Sequence, residues 1–166
     1  MKRDNDNIKI INYYGFSKYA GELAASSVPS TILRTNFFGK SGSAKRQSFS
    51  DWAFNSLQNE DHIKVFTDVL FSPLSIRSIL EYINLVINNP ISGTFNLGSS
   101  DGFSKAKFVY TLADLFGFSV KNVLRTSYKS LELRALRPAD MRMDCSKFQL
   151  AYNCSRMPIL KDEIIS

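Results

Sequence analysis

The chain carries the segment Asn12-Tyr13-Tyr14-Gly15-Phe16-Ser17-Lys18-Tyr19-Ala20-Gly21-Glu22, which continues into the Ala-rich residues 23–26. This composition predicts a helix over residues 14–26. The helix is expected to end before Pro29, because the residue that precedes a proline disfavours helical backbone. Residues 31–35, Thr-Ile-Leu-Arg-Thr, are mostly apolar or β-branched and predict a short strand. A helix followed so closely by a strand is typical of α/β sheets, and we therefore expect an α/β fold.

Two residues of this helix can act together in acid–base chemistry. Tyr14 and Lys18 are four residues apart, so their side chains lie on one face of the helix, about one turn apart. Tyr13 is five residues from Lys18 and points about 140° away. An ammonium group beside a phenol stabilises the phenolate form, which makes Tyr14 a candidate acid–base catalyst. A tyrosine and a lysine at this spacing also occur by chance on exposed helices, so the pair needs support from elsewhere in the chain.

The remaining sequence alternates between predicted helices and strands. Apolar periodicity and glycine or proline stops predict helices over 49–57, 76–87, 105–116 and 146–152, and strands over 63–66 and 93–98. Gly117 follows one of these helices and is expected to end it in a left-handed conformation. The tail from Arg137 onward is otherwise expected to be irregular.

The loop that begins Gly39-Lys40-Ser41 resembles the end of a phosphate-binding loop. That motif also requires a glycine five positions before Gly39, and the residue at that position is Arg34. The sequence therefore does not predict a phosphate-binding loop here.

Composition and cysteine content limit the class of protein. The chain has 166 residues, of which 44% are hydrophobic and 22% are charged, and this fits one soluble domain of about 100–200 residues. No run of about 18 apolar residues could span a membrane, and no apolar leader follows Met1, so we expect a cytoplasmic protein. His62 is the only histidine, so no Cys/His metal site is expected. Cys145 and Cys154 are expected to be reduced, with a disulfide between them as the alternative.

The positive charge of the chain raises the question of nucleic-acid binding. The formal net charge is +6, but the basic residues are scattered, without a long basic run or a stripe of interleaved aromatic residues. We therefore expect no nucleic-acid partner. A basic surface also suits a doubly phosphorylated ligand such as a nucleotide sugar.

Four blocks of the sequence, in order, resemble one enzyme superfamily. Residues 12–22 closely resemble the catalytic helix of the extended short-chain dehydrogenase/reductases, in which Tyr-Gly-x-Ser-Lys is followed by Gly-Glu. Residues 28–39 are similar to the strand and active-site turn after this helix, and residues 93–98 to a late strand of the sheet. Residues 137–147 resemble the C-terminal Arg-Pro, Asp and Lys pattern of the dTDP-4-dehydrorhamnose reductase branch.

This resemblance implies the fold and a division of the chain. The fold would be the C-terminal part of a Rossmann-type parallel sheet with helices, plus a small α/β substrate-binding region. Residues 1–47 would be a remnant of the dinucleotide-binding domain that carries the catalytic helix. Residues 48–166 would mostly form the substrate-binding region, with a late Rossmann strand near 93–98.

The resemblance also implies a reaction, in which hydride passes from NADPH or NADH to the 4-keto carbon of a nucleotide-linked deoxysugar. Tyr14 would give its proton to the ketone oxygen, and Lys18 would hydrogen-bond the nicotinamide ribose. Asn36 and Phe37, at the end of the strand, would lie beside the nicotinamide. The cofactor site implied is therefore formed by Tyr14, Lys18, Asn36 and Phe37.

Substrate contacts are implied for Asn36, Ser72 and Arg137. Ser72 lies in Phe71-Ser72-Pro73, which matches a substrate-domain segment of the branch, and Arg137 begins the C-terminal pattern. Structural roles are the alternatives, because Phe37 and Phe71 could belong to the hydrophobic core. Arg137 could equally form an ion pair with a surface carboxylate.

The chain departs from the resembled family at its beginning. It contains neither Gly-x-x-Gly-x-x-Gly nor Gly-x-Gly-x-x-Gly, the turn that precedes the pyrophosphate-binding helix. Thirteen residues precede Tyr14, fewer than the roughly 30 of a strand–helix–strand unit. We therefore expect a truncated reductase that is inactive alone.

Two alternatives to that expectation remain open. One is a non-catalytic module that binds a nucleotide sugar or a partner protein. The other is a subunit that a separate glycine-rich half completes. An incomplete parallel sheet would leave an unpaired edge, so self-association is also expected.

Overall fold

The computed structural model describes residues 10–42, 46–130 and 136–165. Its helices are α1 Tyr13–Ala25, α2 Phe49–Gln58, α3 Ile76–Asn88, α4 Lys105–Phe116, α5 Ser146–Ala151 and α6 Leu160–Ile165. Its strands are β1 Thr31–Thr35, β2 Phe37–Phe38, β3 Ile63–Phe66, β4 Leu70–Phe71, β5 Leu74–Ser75, β6 Gly93–Leu97, β7 Phe103–Ser104, β8 Val123–Thr126 and β9 Asp140–Met141. None of these helices is long and apolar enough to cross a membrane.

The longest parallel pairing joins β1 to β6. The register runs from Thr31 opposite Gly93 to Thr35 opposite Leu97. Parallel neighbours cannot be joined by a tight turn and need a crossover, and the chain between these strands includes α3. The predicted α/β fold with a parallel sheet is therefore confirmed.

Shorter pairings connect the tail to the middle of the chain. β2 pairs with β5 and β3 pairs with β8, both in parallel. Leu70 of β4 lies opposite Ser104 of β7 on one side and Asp140 of β9 on the other. The segment that follows Arg137 is thereby folded back onto the segment that contains Phe71.

One hydrophobic core surrounds the fully buried ring of Phe108 on α4. The Phe108 ring centroid lies 5.1 Å from that of Phe38, 5.4 Å from that of Phe49 and 5.6 Å from that of Phe71. Such aromatic pairs add to the free energy gained from burying the rings. This core joins α2, β3, α4 and α6 into one body.

A second core lies where α3 and α5 pack against β6. The fully buried ring of Phe148 on α5 lies 4.6 Å from the ring of Tyr152 and 5.5 Å from that of Tyr82 on α3. Leu97 of β6 is also fully buried in this cluster. The strand that pairs with β1 is thus fixed by a packed core.

Most elements agree with the sequence-based predictions. Strands 31–35 and 63–66 and helix 105–116 have the predicted bounds, and the other predicted elements differ by one residue at one or both ends. Gly117 ends α4 with φ 68°, in the left-handed region, as predicted. Cys145 and Cys154 are both thiols and are not joined in a disulfide.

Two predictions about this part of the chain are wrong. The tail is more ordered than expected, because Asp140–Met141 forms β9 and Leu160–Ile165 forms α6. The alternative that places Phe37 in the core is also wrong, because its side chain is 61% exposed. Phe71, in contrast, is 4% exposed, which confirms its assignment to the core.

Candidate active site

The candidate site begins at the N-terminal end of α1, which the Asn12 side chain caps. Its Oδ1 accepts a hydrogen bond from the Gly15 N–H at 2.8 Å, the usual geometry of an N-cap. Its Nδ2 donates to the Leu136 carbonyl at 2.7 Å. One side chain therefore fixes the first turn of the helix and attaches the tail to it.

Tyr14 and Lys18 lie next to each other on the exposed surface of α1. The Lys18 Nζ is 5.5 Å from the centroid of the Tyr14 ring, within the range of a cation–π contact. The Tyr14 side chain is 73% exposed, so its hydroxyl is accessible. The Ser17 hydroxyl donates to the Tyr14 carbonyl at 2.9 Å and is used within the helix. The predicted contact between Tyr14 and Lys18 is therefore present.

Asn36 and Phe37 follow the carboxyl end of β1, the end of a parallel strand at which ligands usually bind. Asn36 Nδ2 donates to the Met141 carbonyl at 3.2 Å. Its Oδ1 is buried and accepts no hydrogen bond from the described residues. The side chain of the next residue, Phe37, is exposed. The two residues that follow β1 thus offer a buried acceptor and an exposed aromatic ring.

The two other predicted substrate residues have different environments. Ser72 is completely buried, and its Oγ accepts a hydrogen bond from the Met143 N–H at 3.1 Å. That hydroxyl therefore holds the tail in place. Arg137 is exposed and follows Leu136, whose carbonyl binds Asn12. Among the described residues Arg137 forms no ion pair, so the structure places a free guanidinium close in sequence to the anchor of α1.

The loop at Gly39 is closed by a carboxylate of the protein itself. Asp51 Oδ2 accepts hydrogen bonds from the Ser41 N–H at 2.9 Å and from the Ser48 N–H at 3.2 Å. The hydrogen bond from the Ser41 backbone is the largest cause that holds the pKa of Asp51 below its ordinary value. Asp51 thus engages two backbone N–H groups of this loop, those of Ser41 and Ser48, that an anion could otherwise bind.

The N-termini of the four long helices are capped by side chains of the same chain. The caps are Asn12 on α1, Ser48 on α2, Ser75 on α3 and Ser104 on α4, each of which accepts a hydrogen bond from a backbone N–H of its helix. A pyrophosphate is normally bound by uncapped N–H groups at such a helix end. The four long helices therefore provide no uncapped end of this kind.

An ion pair that no sequence pattern predicted joins α1 to β1. Arg34 Nε donates to Glu22 Oε1 at 2.9 Å, and Arg34 Nη2 donates to Glu22 Oε2 at 2.6 Å. Both residues belong to the quoted blocks 12–22 and 28–39. The sequence shows that the two residues have opposite charges and belong to a helix and to the strand that follows it. It does not show that they pair, because pairing depends on how α1 lies on the sheet.

A second feature that the sequence did not reveal is an ammonium group between two aromatic rings. The Lys105 Nζ lies 3.5 Å from the centroid of Phe71 and 3.9 Å from the centroid of Phe49. Burial lowers the pKa of Lys105 to about 8. The residue lies next to the segment that contains Ser72.

Comparisons with known proteins agree with the sequence resemblance. A family model described as the RmlD substrate binding domain matches residues 3–160. The chain is 26% identical over 165 residues to the "Probable low-salt glycan biosynthesis reductase Agl14" of Haloferax volcanii, covering 97% of this chain and 55% of that protein. It is 29% identical over 169 residues to a dTDP-4-dehydrorhamnose reductase of Sinorhizobium fredii, covering 93% of this chain and 55% of that protein. The chain thus spans about half the length of these relatives.

Solved structures show the same correspondence. A dTDP-4-dehydrorhamnose reductase from Bacillus anthracis in complex with NADP matches with a TM-score of 0.88 and 25% identity, covering 98% of this chain and 57% of that one. A dTDP-4-dehydrorhamnose reductase from Yersinia enterocolitica matches with a TM-score of 0.85 and 22% identity, covering 98% of this chain and 58% of that one. At 22% identity, the match to the Yersinia enzyme shows only that the two chains share a fold.

Proposed function

The chain belongs to the RmlD substrate binding domain family, in the dTDP-4-dehydrorhamnose reductase branch of the extended short-chain dehydrogenase/reductases, and we propose that it forms the substrate-side half of a nicotinamide-dependent nucleotide-sugar reductase. The observation that carries this proposal is the contact between Tyr14 and Lys18, with 5.5 Å between the Nζ and the ring centroid. A Tyr–Lys pair on an accessible helix face suits proton transfer to a ketone.

Tyr14 would be the acid of this reaction. Its hydroxyl would give a proton to the 4-keto oxygen of the sugar, and the bond that breaks is the phenolic O–H. Lys18 would stabilise the resulting phenolate by its positive charge. It would also hydrogen-bond the ribose of the nicotinamide nucleotide, which would supply the hydride when bound.

The described residues fit one end of a nicotinamide dinucleotide. The buried Asn36 Oδ1, which lacks a hydrogen-bond donor among the described residues, and the exposed Phe37 ring would lie at the nicotinamide end with Tyr14 and Lys18. The four long helices offer no binding site for the pyrophosphate of the dinucleotide, because side chains of the chain itself cap their N-termini. We propose that a dinucleotide-binding half, joined to this chain or separate from it, provides that end.

The substrate would be a sugar linked to a nucleoside diphosphate, as the names of the matched relatives suggest. Arg137 is the best candidate for a charge contact with the diphosphate, because it is exposed and forms no ion pair with the described residues. Asn36 would contact the sugar. Ser72 would support the site indirectly through Met143.

The test is a reductase assay that follows NADPH oxidation with a dTDP-4-keto-6-deoxysugar. The chain alone should be inactive, and activity should appear when a dinucleotide-binding half is fused to it or added. Tyr14→Phe should then lower kcat at least 100-fold, since general acid–base catalysis contributes roughly 10²–10⁴-fold. Tyr13→Phe is the matched control and should retain activity. Full activity of Tyr14→Phe would refute the proposal.

A second candidate function is a non-catalytic module for a nucleotide sugar. The capped helix ends favour it, because none of the four long helices presents an uncapped N-terminus to a pyrophosphate of the cofactor. In that case the chain alone should bind dTDP in a calorimetric titration. Tyr14→Phe should bind equally well, and adding a dinucleotide-binding half should produce no NADPH oxidation.

A further inference from the structure

Helix α1 is attached to the rest of the described structure by polar contacts. None of its residues is buried, and large apolar side chains such as Phe16 and Leu23 are 56% and 55% exposed. Most helices in proteins are held by burial of an apolar face. Within the part of the chain that the structure describes, a few polar bonds therefore orient α1.

The ion pair between Glu22 and Arg34 is the strongest of these bonds. Two parallel hydrogen bonds join the guanidinium to the carboxylate, with N–O distances of 2.9 and 2.6 Å. Bidentate, charge-assisted bonds of this kind fix orientation as well as distance. The side chains are only 21% and 22% exposed, so solvent screens the pair less than it would at the surface.

The position of Glu22 links this pair to the candidate catalytic residues. Tyr14, Lys18 and Glu22 follow one another at intervals of four residues, so their side chains span an arc of about 80° on one side of the helix. Arg34 is the fourth of the five residues of β1 and lies opposite Asn96 of β6. Fixing Glu22 on this strand therefore fixes the rotation of α1 about its axis and the direction in which Tyr14 and Lys18 point.

We propose that Glu22 and Arg34 are positioning residues that orient the Tyr14–Lys18 pair relative to the carboxyl end of β1. The catalytic part of this inference rests on the proposed reductase function, whereas the anchoring of α1 does not. Asn12 provides the second anchor at the N-terminal end, through its hydrogen bond to the Leu136 carbonyl. The helix is thus held at both ends by polar contacts.

Hydrogen exchange of the α1 amides tests the anchor in the full chain, without any activity assay. Arg34→Met should raise exchange rates in residues 13–25 about tenfold, because local opening follows the loss of the contacts that hold an element. Amides of α4 should be unchanged. The matched control is Arg77→Met, which removes the exposed ion pair between Arg77 and Glu81 and should leave α1 unaltered.

A double-mutant cycle shows whether the two residues act through each other. Glu22→Gln combined with Arg34→Met should open α1 no more than Arg34→Met alone, since coupled residues are not additive. Additive effects, or unchanged α1 exchange in Arg34→Met, would overturn the proposal.

If Arg34→Met unfolds α4 as well, the milder variant Arg34→Lys is used instead. It should raise the exchange rates of α1 by less than tenfold and leave those of α4 unchanged. Unaltered α1 exchange in Arg34→Lys would then overturn the proposal.

The catalytic part has a separate readout in the fused or complemented reductase. Arg34→Lys should lower kcat about tenfold, while KM for the nucleotide sugar changes less than twofold, because orientation acts on the transition state. A change in KM with kcat unaltered would overturn the positioning role. If Tyr14→Phe leaves activity intact, the reductase function fails, whereas the exchange result still decides whether the pair anchors α1.

Discussion

The ammonium group of Lys105 lies 3.5 Å from the centroid of the Phe71 ring and 3.9 Å from the centroid of the Phe49 ring. Contact with two aromatic faces stabilises a cation by about 1–2 kcal/mol. Burial acts in the opposite direction and lowers the pKa of Lys105 from 10.5 to about 8. The Lys105 ammonium group therefore lies in an environment that favours the neutral amine.

Replacing Lys105 by methionine should stabilise the protein at neutral pH. Since the folded-state pKa lies below the unfolded value, the unfolded chain binds more protons between pH 8 and 10.5, and stability rises with pH in that window. We expect Lys105→Met to gain about 1 kcal/mol at pH 7, after the loss of the ring contacts. The gain should shrink toward pH 10.5, as measured by urea unfolding at several pH values.

Lys107 provides the control for this experiment. Its Nζ lies 4.1 Å from the centroid of the Phe103 ring, but the residue is exposed. Lys107→Met should change the free energy of unfolding by less than about 0.5 kcal/mol, as is usual for surface substitutions. A loss of stability in Lys105→Met at pH 7 would show that the ring contacts outweigh the cost of burial.

Glu163 should be needed for the stability of the fold. Its carboxylate accepts a hydrogen bond from the Ser75 N–H at 2.5 Å and one from the Ser78 hydroxyl at 2.7 Å, and the residue is 6% exposed. Glu163→Gln replaces an acceptor by an NH2 group at the start of α3. The expected loss is about 2 kcal/mol in the free energy of unfolding, measured with urea. The exposed neighbour Asp162 is the control, and Asp162→Asn should have little effect.

The pair formed by Asp140 and Arg142 should titrate at low pH. Hydrogen bonds from the Arg142 side chain are the largest cause that lowers the pKa of Asp140 from 3.8 to about 2. This carboxylate contributes stability that is complete above pH 3.8 and is lost as the pH falls through about 2. An NMR titration of the Asp140 carboxyl should locate this low pKa, and Arg142→Met should move it back toward 3.8. A wild-type pKa near 3.8 would contradict the role of the arginine.

The long elements of the fold were predictable because their signals are local. The helix Lys105–Phe116 has apolar periodicity and a terminal Gly117, and both act within a few residues. Two-residue strands such as Asp140–Met141 have no such signal, because they exist only through pairing with a segment distant in sequence. The boundary between residues 47 and 48 stays a prediction.

The features of the candidate site likewise fall into those that local sequence predicts and those that depend on tertiary packing. The contact between Tyr14 and Lys18 follows from helical spacing, which the sequence supplies directly. The burial of Ser72 and the exposure of Phe37 depend on how β4, β5 and the tail pack, and sequence patterns could not assign them. The pairing of Arg34 likewise depends on the orientation of α1, which no short segment specifies.

Two glycines should respond oppositely to replacement by alanine. A Cβ on Gly98 would lie 2.6 Å from the Ser72 carbonyl oxygen, which is backbone and cannot easily move, whereas a Cβ on Gly21 would meet nothing within 4 Å. Gly98→Ala should therefore destabilise the protein by about 2 kcal/mol through overpacking. Gly21→Ala should stabilise α1 by about 0.5–1 kcal/mol, because alanine favours helices over glycine. Urea unfolding measures the first effect and hydrogen exchange in α1 the second. Equal stability of Gly98→Ala and wild type would contradict the close approach of Gly98 to Ser72.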